Sequence, residues 1–296
     1  MKHKRTAAVL CISFILLFVS CSLTSQKEKS NLNSKPAMAI LGAFEREVTL
    51  LEDRLTERRE HQIEAIRFIT GKLRGRNVVV AWTGVGKVNA AMTTTLLIEH
   101  FKPEHVIFTG IAGAVNPDLL PGDIVIAEKT AHHDMGTIWP EGLFVGSVKS
   151  RLDGVENPVF FPSDEKLLTC ALRAAERLKM QQVQTTSGTR NPKIIKGVIV
   201  TGDSFIASTE KCAELRKKLE ADAVEMEGAA VAQICYQRQT NHLVIRSISD
   251  SADEGAVLDK QMFYILAAKN SSDLVAEMIG LLNSELSNEK GSEIKK

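Results

Sequence analysis

The sequence predicts a single α/β domain with a central, mostly parallel mixed sheet flanked by helices, preceded by an N-terminal signal segment. Three observations carry this. From residue 38 to residue 286, short runs rich in Val and Ile alternate with segments of helical periodicity. That alternation is the pattern of strands buried on both faces and covered by helices. No internal repeat or linker interrupts residues 37–286, which read as one domain. The composition, 44% hydrophobic and 25% charged, is that of a globular chain able to bury a core.

The elements follow in order. MAILGAF (38–44) is a short apolar strand, and Val48, Leu51 and Leu55 give 45–55 helical spacing. Residues 63–69 and 77–82 read as strands, with LRGR between them as a turn. Residues 87–101 are helical and Pro103 ends them. HVIFTG (105–110) is a buried strand, followed by IAGAVNP as a glycine-bearing turn. Residues 122–131 form a longer strand, 164–179 and 209–220 are helical, and KGVIVTGD (196–203) is a strand. Residues 227–239 are a helix, HLVIRSISD (242–250) a strand, and 260–286 a long closing helix. The breaker-rich stretch 181–195 is a surface excursion, and the polar tail 287–296 is expected to be disordered.

The N-terminus departs from this pattern. Lys2, His3, Lys4 and Arg5 precede an almost continuous apolar run over 7–20. The run falls short of the ~20 residues a spanning helix needs, and with Ser20 before the break it reads as an export signal over 1–21. FVSC resembles a relaxed bacterial lipobox with Cys21 as the lipidated residue; an uncleaved anchor and an ordinary signal with a chance cysteine are the alternatives. Residues 22–36 are too polar to join a core and form a flexible tether. The expectation is an exported protein that meets the membrane only through a lipid at Cys21. With 37 basic against 36 acidic residues, no global field favours nucleic acid. Cys170, Cys212 and Cys235 are widely spaced and odd in number, so they imply no disulfide framework and no metal-ligand pair.

In α/β sheets, ligands bind beyond the carboxyl ends of the strands. Those ends carry Phe44, Glu45 and Glu47; Gly110, Ala112 and Gly113; Asp203, Ser204 and Phe205; Glu225, Met226 and Glu227; and Asp250. Singly, most have bland explanations. Glu47 and Glu227 are acids in first helical turns, favoured by the helix dipole. Asp250 can cap a turn, and Gly110 and Gly113 can permit one. Arg246, inside an apolar strand, is costly to bury unpaired and calls for a carboxylate partner. Their joint placement predicts a pocket. TGVGKVNAA (83–91) lacks the upstream glycine of a phosphate-binding P-loop. His132 and His133 are neighbours on a strand and point to opposite faces, so no metal is expected there.

The segments ILGAFEREVTLL (40–51), TGVGKVNAA (83–91), TGIAGAV (109–115), GVIVTGDSFI (197–206), AVEMEGAAVAQIC (223–235) and RSISDSAD (246–253) resemble the methylthioadenosine/S-adenosylhomocysteine nucleosidases of the nucleoside phosphorylase superfamily. The similarity runs in order over 38–283 and implies a nucleoside phosphorylase-like fold. It also implies roles. Asp250 would be the acid that protonates the leaving purine, and Glu47 the base for water, with Arg246 in the same network. Glu227 would bind the ribose hydroxyls and Met226 pack on the sugar. Phe205 and Ile206 would read the adenine, Ala112 and Gly113 line the base site, and Phe44 sit near the 5′-substituent. The resemblance implies no cofactor, a small-molecule purine nucleoside as substrate, and a homodimer. Two positions depart from it: Ile111 stands where many members have serine, and Lys260 where an aromatic often closes the pocket. The phosphorylases carry a GDPxR-like segment near the start. GAFERE here puts Glu47 where a phosphate would be repelled, which favours water as nucleophile. A phosphorylase and a binding protein that has lost turnover remain the alternatives.

Overall fold

The computed structural model describes residues 37–293 except 148, 151, 153, 155, 186, 187 and 254. The expected signal segment 1–21 and the tether 22–36 lie outside the described residues. Ten strands make the main sheet. In chain order these are β1 (Met38–Gly42), β2 (Thr56–Ile63), β3 (Ile66–Leu73), β4 (Arg76–Trp82), β5 (His105–Ala114) and β6 (Ile124–His132); then, after the hairpin β7 (Gly136–Trp139) and β8 (Gly142–Val145), β9 (Phe160–Pro162). A second hairpin, β10 (Val183–Thr185) with β11 (Gly188–Arg190), precedes β12 (Ile194–Thr201), β13 (Ala223–Glu225) and β14 (Asn241–Asp250). The helices are α1 (Glu45–Glu52), α2 (Lys87–Phe101), α3 (Glu165–Arg177), α4 (Thr209–Leu219), α5 (Gly228–Gln237) and α6 (Ala256–Glu293).

Period-two alternation in β1 explains the layers. Ala39 and Leu41 pack with Leu97 and Phe101 of α2 and Val231 and Cys235 of α5. Met38 and Ile40 face the other way, onto Val48 and Leu51 of α1, Leu167 of α3 and Met278 of α6. A third cluster joins α4 to β12 through Cys212, Leu215, Val198 and Val200. The helix ends are set locally. Asp164 caps α3 by accepting from Leu167 N at 2.9 Å, and Ser208 caps α4 by accepting from Lys211 N at 3.2 Å. Lys102, in the left-handed region, closes α2 just before Pro103.

The sheet runs β13-β12-β6-β14-β5-β1-β4-β3-β2, with β9 beside β6. It is mixed. β1 pairs in parallel with β4 and β5, β5 with β14, and β12 with β6 and β13. The β14–β6 and β13–β5 pairs are antiparallel, as are β2–β3–β4 and β6–β9. The β13–β5 pairing closes β5, β13, β12, β6 and β14 into a ring.

Four expectations are corrected. IAGAVNP is not a turn after Gly110: β5 continues to Ala114, because Gly113 and Ala114 pair with Val224 and Ala223 of β13. The strand expected at 63–69 is two strands, β2 and β3, joined at Glu64 and Ala65, both of positive φ. The excursion 181–195 contains the β10–β11 hairpin, pinned by Arg190 Nη1 donating to the fully buried Asp123 at 2.6 Å. The closing helix begins at Ala256 and runs through Glu293, so most of the polar tail is helical.

Candidate active site

The site sits at the carboxyl ends of β1, β5, β12, β13 and β14. Glu47 is the third residue of α1, directly after β1, and is buried. Its Oε2 accepts from Ala43 N (2.6 Å) and Phe44 N (2.9 Å), and its Oε1 from Ile111 N on β5 (3.0 Å). A side chain at the third helical position that reaches back to the first free N–H is half of a capping box. Burial raises the Glu47 pKa, while Arg246 and the three backbone N–H groups pull it part of the way back.

Arg246 is fully buried within β14. The expected carboxylate partner is Glu225, at the end of β13. It accepts from Arg246 Nη2, Thr201 Oγ1, Glu227 N (3.1 Å) and Gly228 N (2.8 Å). Nothing in the residue pattern distinguishes Glu225 from Glu227, two residues on, as that partner. The guanidinium lies 4.1 Å over the Phe108 ring, and its Nε and Nη1 are buried without a hydrogen-bond partner. Nη1 faces the α-carbon of Gly110, beside Glu47 Oε1.

Glu227 is the residue before α5, and not its first turn. It accepts from Gly86 N at 2.8 Å and stands 3.5 Å from Arg246 Nη2. Burial, and then the charge of Glu225, push its carboxyl up to about 8. The TGVGK segment therefore serves as a clasp. Gly86 holds Glu227, Lys87 N donates to Asp203 (2.8 Å), and Lys87 Nζ donates to Asp134 (2.6 Å).

Asp250 ends β14 and is buried; its Oδ2 accepts from Ser249 Oγ (2.7 Å) and its Oδ1 from Ala252 N (3.0 Å). Ser249 is a residue that sequence reasoning missed, since an isolated serine carries no pattern. Both expected glycines are needed for close approach. A Cβ on Gly110 would overlap Arg246 Nη1 and Glu47 Oε1, and one on Gly113 would come within 2.8 Å of Asp250 Oδ1.

A cavity of about 330 Å3 unites the set, within the range of small-molecule sites. Asp250, Glu227, Met226, Ala112 and Gly113 line it, with Phe44 and Phe205 at its mouth. Glu47 and Arg246 stand one layer behind, bonded to the lining residues Ile111 and Glu225. Ile206 is not in the lining; its side chain packs against the α4–β12 cluster. Phe44 and Phe205 also border an adjoining cleft with Arg46 and Tyr264, and Phe44 meets the Tyr264 ring edge-on at 6.1 Å. The Lys260 side chain lies outside the described residues. His132 Nε2 contacts Gln233 Oε1 at 3.0 Å and His133 packs on Gly202. Among the described residues, no cluster of three or more His, Cys, Asp or Glu is arranged to hold a metal.

A nucleoside-sized cavity lined by buried carboxylates with an arginine behind them, on this fold, defines a member of the phosphorylase superfamily, and residues 37–280 match that family. A methylthioadenosine/S-adenosylhomocysteine nucleosidase of Geobacillus sp. (strain WCH70) is 38% identical over 83% of this chain and 98% of its own length. Two solved structures are similar. The Neisseria meningitidis nucleosidase of that name, in complex with methylthio-immucillin-A, has a TM-score of 0.71 at 36% identity, covering 83% of this chain and 99% of its own. The Helicobacter pylori futalosine hydrolase has a TM-score of 0.69 at 30% identity, covering 82% and 96%. The chain belongs to the 5′-methylthioadenosine/S-adenosylhomocysteine nucleosidase family.

Proposed function

We propose that the protein hydrolyses the N-glycosidic bond of 6-amino-purine nucleosides such as 5′-methylthioadenosine and S-adenosylhomocysteine, releasing adenine. One observation carries water, over phosphate, as the nucleophile. The backbone N–H groups of Ala43, Phe44 and Ile111 converge as an anion cradle would, and the Glu47 carboxylate already fills them. A phosphate dianion brought there would meet that charge.

The chemistry follows from placement. Gly110 packs against the Glu47–Arg246 pair and Gly113, three residues on along β5, against Asp250, so base and acid reach the site from different points of the strand. A glycosidic bond fits between them. Asp250 gives its proton to the leaving purine as the C–N bond breaks and an oxocarbenium-like sugar develops. Glu227 accepts from the ribose hydroxyls, and the surrounding carboxylates favour the positive sugar. Arg246 Nε and Nη1 orient a water whose proton passes to Glu47, a stronger base for its burial. Phe205 stacks on the base, Ile206 contributes its backbone to the adenine edge, and Met226 packs on the ribose.

The test is adenine release from methylthioadenosine with and without phosphate, in wild type and Glu47→Gln. Phosphate-independent release that Glu47→Gln lowers by about 10²-fold or more is expected. Phosphate-dependent formation of ribose 1-phosphate would make it a phosphorylase.

The protein as proposed is a homodimer, exported through residues 1–21 and anchored by lipid at Cys21. The family resemblance supports the first and the basic–apolar–FVSC pattern the second. Mass spectrometry of the mature N-terminus and light scattering test them separately.

A further inference from the structure

The nucleoside site lies at the carboxyl ends of the strands. At their amino ends, β4, β5 and β14 border a second cavity of about 500 Å3, closed by α3 and α6. Arg76, the first residue of β4, lines it and is only 6% exposed. Its Nε is buried with no hydrogen-bond partner, and its Nη1 reaches Leu282 O only at 3.5 Å. It forms no ion pair among the described residues. His105 Nδ1, in the same cavity, is also buried and unpartnered.

A guanidinium buried without a counter-ion is expensive, and proteins ordinarily supply a carboxylate. Here the two carboxylates of the lining, Glu104 and Glu165, are exposed at the rim, where Lys166 and Arg173 add two further cations. Asp164, close by, is committed to capping α3. Burial lowers the His105 pKa, so its ring is neutral and one nitrogen donates. Donors thus come from β4, β5 and α3 at once. A tetrahedral oxyanion takes donors from several directions, and the arginine fork suits it.

We propose that this cavity is a binding site for a phosphate group, held by Arg76 and His105 and separate from the nucleoside site. Two sources share that chemistry: a soluble phosphate and a phospholipid headgroup. Ala37, the first described residue, donates its N–H to Asn77 O at 3.1 Å, next to Arg76 in the chain.

The test is the thermal midpoint of the full chain titrated with inorganic phosphate against chloride at matched ionic strength, with adenine filling the nucleoside site. A saturable rise specific to phosphate is expected. Arg76→Gln should lose it while leaving adenine release unchanged. Glu104→Gln, which removes an exposed rim carboxylate whose charge acts on Arg76, should shift the titration to lower phosphate. Flotation with phosphatidylglycerol or phosphatidylcholine vesicles separates the sources, since any lipid anchor acts equally on both. Arg76-dependent preference for phosphatidylglycerol identifies a headgroup, and phosphate binding without it a soluble ligand. No phosphate-specific rise in wild type, or equal rises in wild type, Arg76→Gln and Glu104→Gln, would overturn the proposal.

Discussion

Glu47 and Arg246 converge on the bare α-carbon of Gly110, which leaves no room for a Cβ between them. Gly110→Ala is therefore expected to displace both side chains. Overpacking of this kind costs about 1–3 kcal/mol. Loss of adenine release should exceed what that destabilisation explains, read from turnover measured well below the melting midpoint. An alanine variant with full activity would mean the two groups do not act together.

Asp250→Asn should lower kcat by about 10²–10⁴-fold, the usual worth of a general acid. The amide oxygen can still accept from Ala252 N, so the thermal midpoint should move little. Near wild-type turnover would remove Asp250 from the acid role.

Glu225 has no place in the residue set implied by family resemblance, yet it is the carboxylate that neutralises Arg246. Glu225→Gln should cost about 3–5 kcal/mol, as breaking one side of a buried ion pair does. Denaturant unfolding measures this. A loss below ~1 kcal/mol would show that Glu227, 3.5 Å from the same guanidinium, can take over.

The pH dependence of stability has two limbs of opposite sign. Glu227 titrates near 4.5 when free and at about 8 when folded, so the folded state holds its proton more tightly. Its contribution is full below pH 4.5 and is lost as pH rises through about 8. His133 and His242 are lowered by burial, the latter to about 4, so their contribution is present above 6.5 and lost as pH falls. Thermal midpoints across this range should fall on both sides for wild type. In Glu227→Gln the alkaline limb should flatten and the acid limb persist. An unchanged alkaline limb would assign it to another group.

Much of this was legible in the residues. Helix α2 follows its pattern from Lys87 to Phe101, and the strand-end rule located Glu47, Glu227 and Asp250. What stayed hidden has physical reasons. β2, TERREHQI, is an exposed edge strand without apolar alternation. Its turn into β3 uses Glu64 and Ala65 at positive φ, where Gly or Asn would have signalled it. Ring closure depends on the two residue pairs between β13 and β5, too short a pairing to leave a periodicity. Arg246 announced its need for a carboxylate, but only packing selects Glu225.

The closed ring divides labour within the molecule. Asp250, Arg246, Glu225 and Gly110 all belong to strands hydrogen-bonded around one circuit, so none can drift without dragging its neighbours. Phe44, Phe205 and Tyr264 stand outside that circuit, on a helix cap, a loop and a helix. The buried polar groups are thus tied to one another through the backbone, whereas each rim residue can be exchanged without disturbing that circuit.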